Sequence, residues 1–294
     1  MDAVTGGGDF AASLDGRRIV VLHAASPFSL RDGYLLGLLV ERWAALGAMV
    51  TDAIDPEPPG DADVLLVHAD RTVVPDSVIA SVGGRPAVNG RALDIRKSRY
   101  LEHVVTGPDP DSGPVLVKTD LNHAGLPERR AGGGFPGPLP ARLIRVVRRR
   151  LGLPVEIRTK ADYRVYDRSE DVPARRFADG SLVQRFLPER RDGRYVLREY
   201  YFLGGREYLS VELGDEPILT SGTQVDSGPG TPPAEVRAIR DQLGLDYGKI
   251  DYGIVDGRAV IYDANKTLGI RSHPTPTTYA IADHLAPGII DFLR

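Results

Sequence analysis

Apolar residues recur along this chain in two rhythms, and the changes of rhythm mark its elements. Arg18-Ile-Val-Val-Leu-His23 and Asp63-Val-Leu-Leu-Val-His68 are apolar runs of strand length, and Met49-Val50 opens another. Leu35, Leu36, Leu39, Val40 and Trp43 return at helical spacing inside residues 32–46, and Gly47 ends the pattern. That spacing predicts an amphipathic helix packed on a sheet. A further β run is expected at Arg85-Pro-Ala-Val-Asn89. Strands alternating with helices predict a small parallel α/β domain over residues 17–90, behind a flexible arm at 1–16. The domain has no convincing G-x-G-x-x-G turn, so a scaffold that places substrate is expected in preference to a dinucleotide site.

Residues 89–100 read as a linker running into a helix. Val115-Leu-Val-Lys118 is a buried-looking strand that ends in a lysine, and Thr119-Asp-Leu-Asn-His-Ala-Gly125 and the glycine-rich Ala131-Gly-Gly-Gly-Phe-Pro-Gly137 follow it. Such glycines permit close backbone approach to a phosphate, with Lys118 supplying charge; the plainer alternative is a surface loop beside an exposed lysine. Residues 140–151 predict a basic amphipathic helix with Leu143, Val146 and Val147 inward, and Arg145 and Arg148 on a solvated face. A β run over 155–166, a capped turn at Ser169-Glu-Asp-Val-Pro173 and a short strand at Leu182-Val-Gln-Arg-Phe-Leu-Pro-Glu189 come next. Residues 193–208 read as two strands around Gly204-Gly205, with helices expected at 232–244 and 277–293.

Between those helices lies a strong local signal. Residues 245–269 read as a strand, a tight turn at Asp256-Gly257, and a second strand ending in Asp263-Ala-Asn265. Antiparallel pairing brings Asp251 to the same end of the ladder as Asp263 and Asn265, and the period of two puts the last two on one face. Two carboxylates and an amide oxygen converging in this way suit Mg²⁺.

Composition narrows the reading. At 294 residues, with 42% apolar and 26% charged residues, the chain has room for two or three structural units and a sizeable core. A formal net charge of -3 argues against general nucleic-acid binding, and the absence of cysteine removes disulfides and thiolate chemistry. No secretory pattern and no apolar run of about 18 residues is visible, so the expectation is a cytoplasmic protein with no membrane partner.

A lysine before the first loop (Lys97), a strand lysine followed by glycines (Lys118), the Gln184-Arg185-Phe186-Leu187 strand and the metal hairpin stand in one order. That order resembles the ATP-grasp superfamily over roughly residues 17–290, with glutathione synthetase, D-alanine–D-alanine ligase and the ribosomal-protein glutamate ligases as the nearest branch. The resemblance implies a mixed α/β and α+β fold: a small N-terminal parallel-sheet domain, then two α+β subdomains clamping the nucleotide, over 91–182 (with an insertion at 126–154) and 183–294. It implies that Lys97 and Lys118 contact the phosphates of ATP. The backbone of Gln184, Arg185, Phe186 and Leu187 would read adenine, and Glu189 the ribose. Asp251, Asp263 and Asn265 would hold one or two Mg²⁺ ions bridging the phosphates, with Mn²⁺ as an alternative. Arg198 would face the transferred phosphoryl group; its structural alternative is an ion pair with Glu199 or Glu207.

The implied reaction is ligation of a small carboxylate to an amine (an amino acid or peptide) through an acylphosphate. A small-molecule kinase and a non-catalytic nucleotide-binding protein are the alternatives, and a homodimer is left open. Asp263 stands where the family usually has glutamate, and Lys266 follows the asparagine. Lys266 and Arg271 are the substrate candidates closest to the metal, and residues 26–31, Arg206, Ser272 and His273 are weaker ones.

Overall fold

A computed structural model of the chain describes residues 13–24, 32–57, 60–132, 143, 146–147, 151, 156–219, 222–270 and 273–293. Most of the insertion, the core of the glycine loop, residues 26–31 and both Arg271 and Ser272 fall outside them. Of the expected helix at 140–151 only Leu143, Val146, Val147 and Leu151 are described, and Leu143, Val146 and Val147, expected inward, are exposed.

Strands β1 (Arg18–His23), β2 (Met49–Ile54) and β3 (Val64–His68) form a parallel sheet in the order β2-β1-β3. Helix α1 (Leu35–Ala45) connects β1 to β2 and buries Leu35, Leu36, Leu39, Val40 and Trp43, the predicted stripe, with Leu38. A short helix α2 (Asp76–Val82) follows β3. The expected strand at 85–89 is reduced to a single parallel bridge between Leu66 and Val88. Pro86 has no N–H to donate, and Asn89 turns left-handed at φ 59°, so few residues are left to pair.

Strand β4 (Val115–Thr119), helix α3 (Leu126–Ala131), and strands β5 (Arg164–Tyr166) and β6 (Ser181–Arg185) build the second unit, an antiparallel sheet ordered β5-β4-β6. The helix expected near 97–100 is one 3₁₀ turn, Lys97–Arg99. Asp94 competes for the chain there, accepting from both the backbone N–H (3.0 Å) and the guanidinium of Arg96. The β run at 155–166 shrinks to β5 because Thr159 and Asp162 form a reciprocal capping box that starts a 3₁₀ turn, Lys160–Asp162.

The third unit is a six-stranded sheet: β7 (Arg190–Arg191) pairs with β8, and the main path is β10-β9-β8-β11-β12. Its strands are β8 (Arg194–Leu203), β9 (Arg206–Gly214), β10 (Thr223–Pro229), β11 (Tyr247–Val255) and β12 (Arg258–Asn265). Helix α4 (Ala234–Leu243) covers one face, packing Val236 and Leu243 over Tyr200, Phe202, Ile250, Tyr252 and Ala264. Helix α5 (Pro276–Leu285) docks on α1, and Trp43 Nε1 donates to the Ala286 carbonyl at 2.9 Å. The α-helix then gives way to 3₁₀ turns over Ala286–Phe292, where Pro287 lacks the N–H that would continue it. No helix of the described residues is long and apolar enough to cross a membrane.

The parallel-sheet domain is tied to the start of β11 through Asn89, whose own N–H donates to the Asp246 carboxylate at 2.8 Å. Buried Asn89 donates its Nδ2 to the Tyr247 carbonyl (2.8 Å), and its Oδ1 accepts from the N–H groups of Asp246 and Tyr247 at 2.9 Å each. Asn89→Ala leaves these buried backbone groups unpaired at a left-handed position, and should lower stability by about 2–4 kcal/mol. A shift of the urea midpoint at unchanged slope measures it.

Candidate active site

The Asp256-Gly257 turn has φ of 50° and 77°, the left-handed pair that matches the twist of a two-residue hairpin. It sets a register in which Asp251 faces Asp263 directly and Lys249 faces Asn265. On the other side of β11, Glu199 of β8 faces Asp251 and Tyr201 faces Lys249. Directly opposed residues share a face, so two rows run across three strands: Glu199–Asp251–Asp263 and Tyr201–Lys249–Asn265. This is the face away from α4. All three carboxylates and Asn265 are buried.

The second unit closes over these rows with basic and phenolic groups. Lys97 and Lys118 are 1% and 2% exposed, so Lys118 is not the solvent-facing lysine of its plainer alternative. Lys97 Nζ stands 3.1 Å from Asp263 Oδ1 and donates to the Leu121 carbonyl at 2.9 Å. Lys118 Nζ donates to the Tyr262 carbonyl at 2.8 Å, and Tyr100 accepts the Ala264 N–H at 2.9 Å. Gln184 Nε2 donates to the Glu102 carbonyl at 3.2 Å and reaches that of Ile261 at 3.4 Å. Side chains of the second unit thus satisfy the free edge of β12.

The charges are strongly coupled. Burial pushes the Asp263 carboxyl up, but Lys97, Lys160 and Lys118 together outweigh it and hold the group below the usual carboxylate range. Burial, then the repulsion of Lys97, push Lys118 down to about 7. Burial also tends to raise Glu199, and contact with Lys249 reverses it. Lys249 Nζ bonds Glu199 Oε1 at 2.5 Å and lies 2.8 Å from Asp251 Oδ1, an oxygen that accepts no aligned hydrogen bond.

The oxygen set suits a hard divalent cation: two opposed carboxylates and an amide within one buried face, one carboxylate oxygen lacking an aligned donor. No group of three or more His, Cys, Asp or Glu side chains in metal-binding geometry occurs among the described residues, so Asn265 would be part of any such set.

Arg198 and Glu189, given separate tasks from the sequence, hold each other in a two-bond fork at 2.7 Å each. Arg198 faces Tyr252 and Val211, the opposite face of β8 from Glu199, and so is turned away from the carboxylate rows. Its partner is neither Glu199 nor Glu207. Glu189 also accepts the Ile254 N–H at 2.7 Å. The N–H groups of Arg185 and Phe186 donate to the carbonyls of His103 (2.9 Å) and Pro114 (2.7 Å), whereas the Leu187 N–H has no partner among the described residues. Lys266 is buried and donates to the Ala92 carbonyl at 3.1 Å; burial pushes it down to about 8 against the pull of Asp94, Asp70 and Glu128.

Sequence reasoning missed Lys160, Lys249, Glu199 and Tyr100. Alternation back from Asp251 marks Lys249, and the Thr159-Lys-Ala-Asp162 cap marks the turn carrying Lys160. Glu199 needs the β8–β11 register, and Tyr100 had no signal. The fork makes Arg198 a structural residue by contact: Arg198→Met strands a half-enclosed carboxylate, and should cost about 2–4 kcal/mol. Chemical denaturation at pH 7 measures it.

No family model and no curated protein matches the chain. Among solved structures it is similar to a RimK-domain ATP-grasp protein from Sphaerobacter thermophilus, at 19% identity over 94% of this chain and 99% of that one, with a TM-score of 0.45. It is similar to D-alanine–D-alanine ligase from Bacillus anthracis, at 12% identity over 94% and 96% of the two chains, TM-score 0.46. A third likeness is to the macrocyclase MdnC from Microcystis aeruginosa, bound with precursor peptide MdnA, at 12% identity over 90% and 99%, TM-score 0.45.

Proposed function

We propose that this chain is an ATP- and Mg²⁺-dependent carboxylate–amine ligase of the ATP-grasp type. The observation that carries the reading is the Asp251–Asp263 pair with Asn265, on one buried face, under lysines supplied by a separate unit: Lys118 from β4, and Lys97 from the 3₁₀ turn Lys97–Arg99. A carboxylate floor facing a cationic roof suits a metal–polyphosphate complex, in which each layer finds its opposite charge.

Lys97, Lys118 and Lys160 bind the phosphates and neutralise charge that builds up on the transferring phosphoryl group. The unpartnered Leu187 N–H reads the base edge. Asp251, Asp263 and Asn265 would hold Mg²⁺ or Mn²⁺, which when bound screens the phosphate oxygens and polarises the phosphorus being attacked. A substrate carboxylate oxygen attacks the γ-phosphorus, giving an acylphosphate and ADP. An amine then attacks the acyl carbon, phosphate leaves with the bridging oxygen, and the amine loses a proton. Closure of the two sheets excludes water that would hydrolyse the acylphosphate.

Asp263→Ala should abolish ADP formation in carboxylate–amine mixtures that support the parent, and Lys118→Ala should lower it on the order of 10²–10³-fold. Parental rates in either variant would sink the assignment. Mass spectrometry separates ligase from kinase: amide with free phosphate, against a stable phosphorylated product.

Lys118 adds a proton-linked test. Its folded pKa of about 7 means the free site is charged below pH 7 and neutral above. An approaching polyphosphate favours the ammonium, so nucleotide binding between about pH 7 and 10 should take up a proton, and none well below 7. Calorimetry at pH 8 in buffers of different ionisation enthalpy should show uptake in the parent and its loss in Lys118→Met.

A further inference from the structure

Of the three lysines above the carboxylates, two are held by their own ammonium groups. Lys97 holds Asp263 and the Leu121 carbonyl, and Lys118 holds the Tyr262 carbonyl. The Lys160 ammonium makes no hydrogen bond or ion pair among the described residues. Its charge nevertheless bears on Asp263, Asp251 and Glu199 together, and it pulls on Asp263 more strongly than Lys118 does. Its place over the carboxylates therefore depends on where the turn that carries it, Lys160–Asp162, is held.

That turn is held from within and from without. Within it, Asp162 accepts the N–H groups of Arg158 (3.1 Å) and Thr159 (2.9 Å). From without, Arg129 of α3 donates Nη2 to the Arg158 carbonyl at 2.7 Å and Nη1 to the Ala124 carbonyl at 2.8 Å. One guanidinium thus joins the Lys160 turn to the turn after β4, where the Leu121 carbonyl anchors Lys97. Ala124 lies in a run of three left-handed residues, His123, Ala124 and Gly125, at φ 44°, 55° and 72°. Residues other than glycine keep that conformation only where their surroundings fix it. The guanidinium lies across Gly125, where a Cβ would stand 3.1 Å from Nη1. Helix α3 is itself anchored on the parallel-sheet domain: Arg71 donates to the Pro127 carbonyl and the Thr72 N–H to Glu128, both at 2.7 Å. The planar fork of an arginine suits two carbonyls on separate segments, and a lysine has no such fork.

We propose, on the ATP-grasp reading above, that Arg129 is the positioning residue for Lys160: by bridging the Ala124 and Arg158 carbonyls it fixes the Lys160 turn beside the Lys97 anchor, so that both ammonium groups face one phosphate chain. The turn after β4 keeps further ties without Arg129, among them the Asn122 N–H to Thr72 at 2.8 Å, so loss of the bridge frees the Lys160 side. In this role Arg129 needs no contact with the nucleotide, and its effect on binding runs through Lys160.

A double-mutant cycle on nucleotide affinity tests this without turnover. The full chain is titrated by calorimetry with the β,γ-imido analogue of ATP in Mg²⁺. The expected Kd is about 10-fold weaker in Lys160→Met, about 10-fold weaker in Arg129→Met, and no weaker in the double variant than in either single one. A merely structural Arg129 behaves differently. Parental affinity in a folded Arg129→Met, or losses that multiply to about 100-fold in the double variant, would overturn the proposal. Where Arg129→Met does not fold, Arg129→Lys, which keeps the charge without the fork, passes through the same cycle and the same outcomes decide. Failure of the underlying reading looks different: a parent that binds no analogue, or a Lys160→Met that binds as the parent does, removes the role of Lys160 and that of Arg129 with it.

Discussion

The structure turns on the register of three neighbouring strands. Because Glu199, Asp251 and Asp263 stand directly opposite one another on β8, β11 and β12, the sheet concentrates negative charge on one buried face. Such a face is unstable alone: like charges side by side repel, and burial adds a desolvation cost to each. The lysines are therefore a condition of the fold as well as of the chemistry. A Lys97–Asp263 contact at 3.1 Å represents on the order of 5 kcal/mol of attraction at an effective dielectric of about 20, before desolvation is subtracted. Losing either partner leaves the other buried and uncompensated.

The same contacts explain how two sheets of different units meet. Strand β12 ends the six-stranded sheet, and its outer edge would expose unpaired backbone groups. Lys118 and Gln184 donate to its carbonyls and Tyr100 accepts from its Ala264 N–H, so the edge is closed by side chains in place of another strand. Side-chain closure keeps the two sheets in contact while leaving every bond replaceable. A continuous ladder would tie the two sheets by a whole row of backbone bonds; here the tie is a few separate side-chain bonds.

The fold was legible where periodicity is strong. The parallel strands, the α1 stripe, the Gly204-Gly205 turn and the Asp256-Gly257 hairpin follow from apolar spacing and turn chemistry, and the expected mixture of a small parallel sheet with α+β units is present. Elements without an apolar rhythm were invisible: β10 has one apolar residue of the large kind, Val225, and lies largely exposed at an edge. Local side-chain bonds also overrode periodic expectation, at Asp94 and at the Thr159–Asp162 cap. For the site, residue type and order pointed to the floor and two roof lysines. They could not give parity across strands, which puts Glu199 with Asp251 and turns Arg198 to the other side.

That parity has a chemical consequence. Opposite Asp251 and Lys249, β8 presents positions 199 and 201, and those hold glutamate and tyrosine. The positive charge next to Asp251 comes instead from Lys249 on the adjacent strand, and Arg198 is committed to Glu189 and through it to the Ile254 N–H. The floor thus carries its own counter-ion on β11, and the facing unit brings Lys97 to Asp263. The Glu199–Lys249–Asp251 chain is therefore balanced within its own sheet, apart from the Lys97–Asp263 and Lys118–Tyr262 contacts that join the two units.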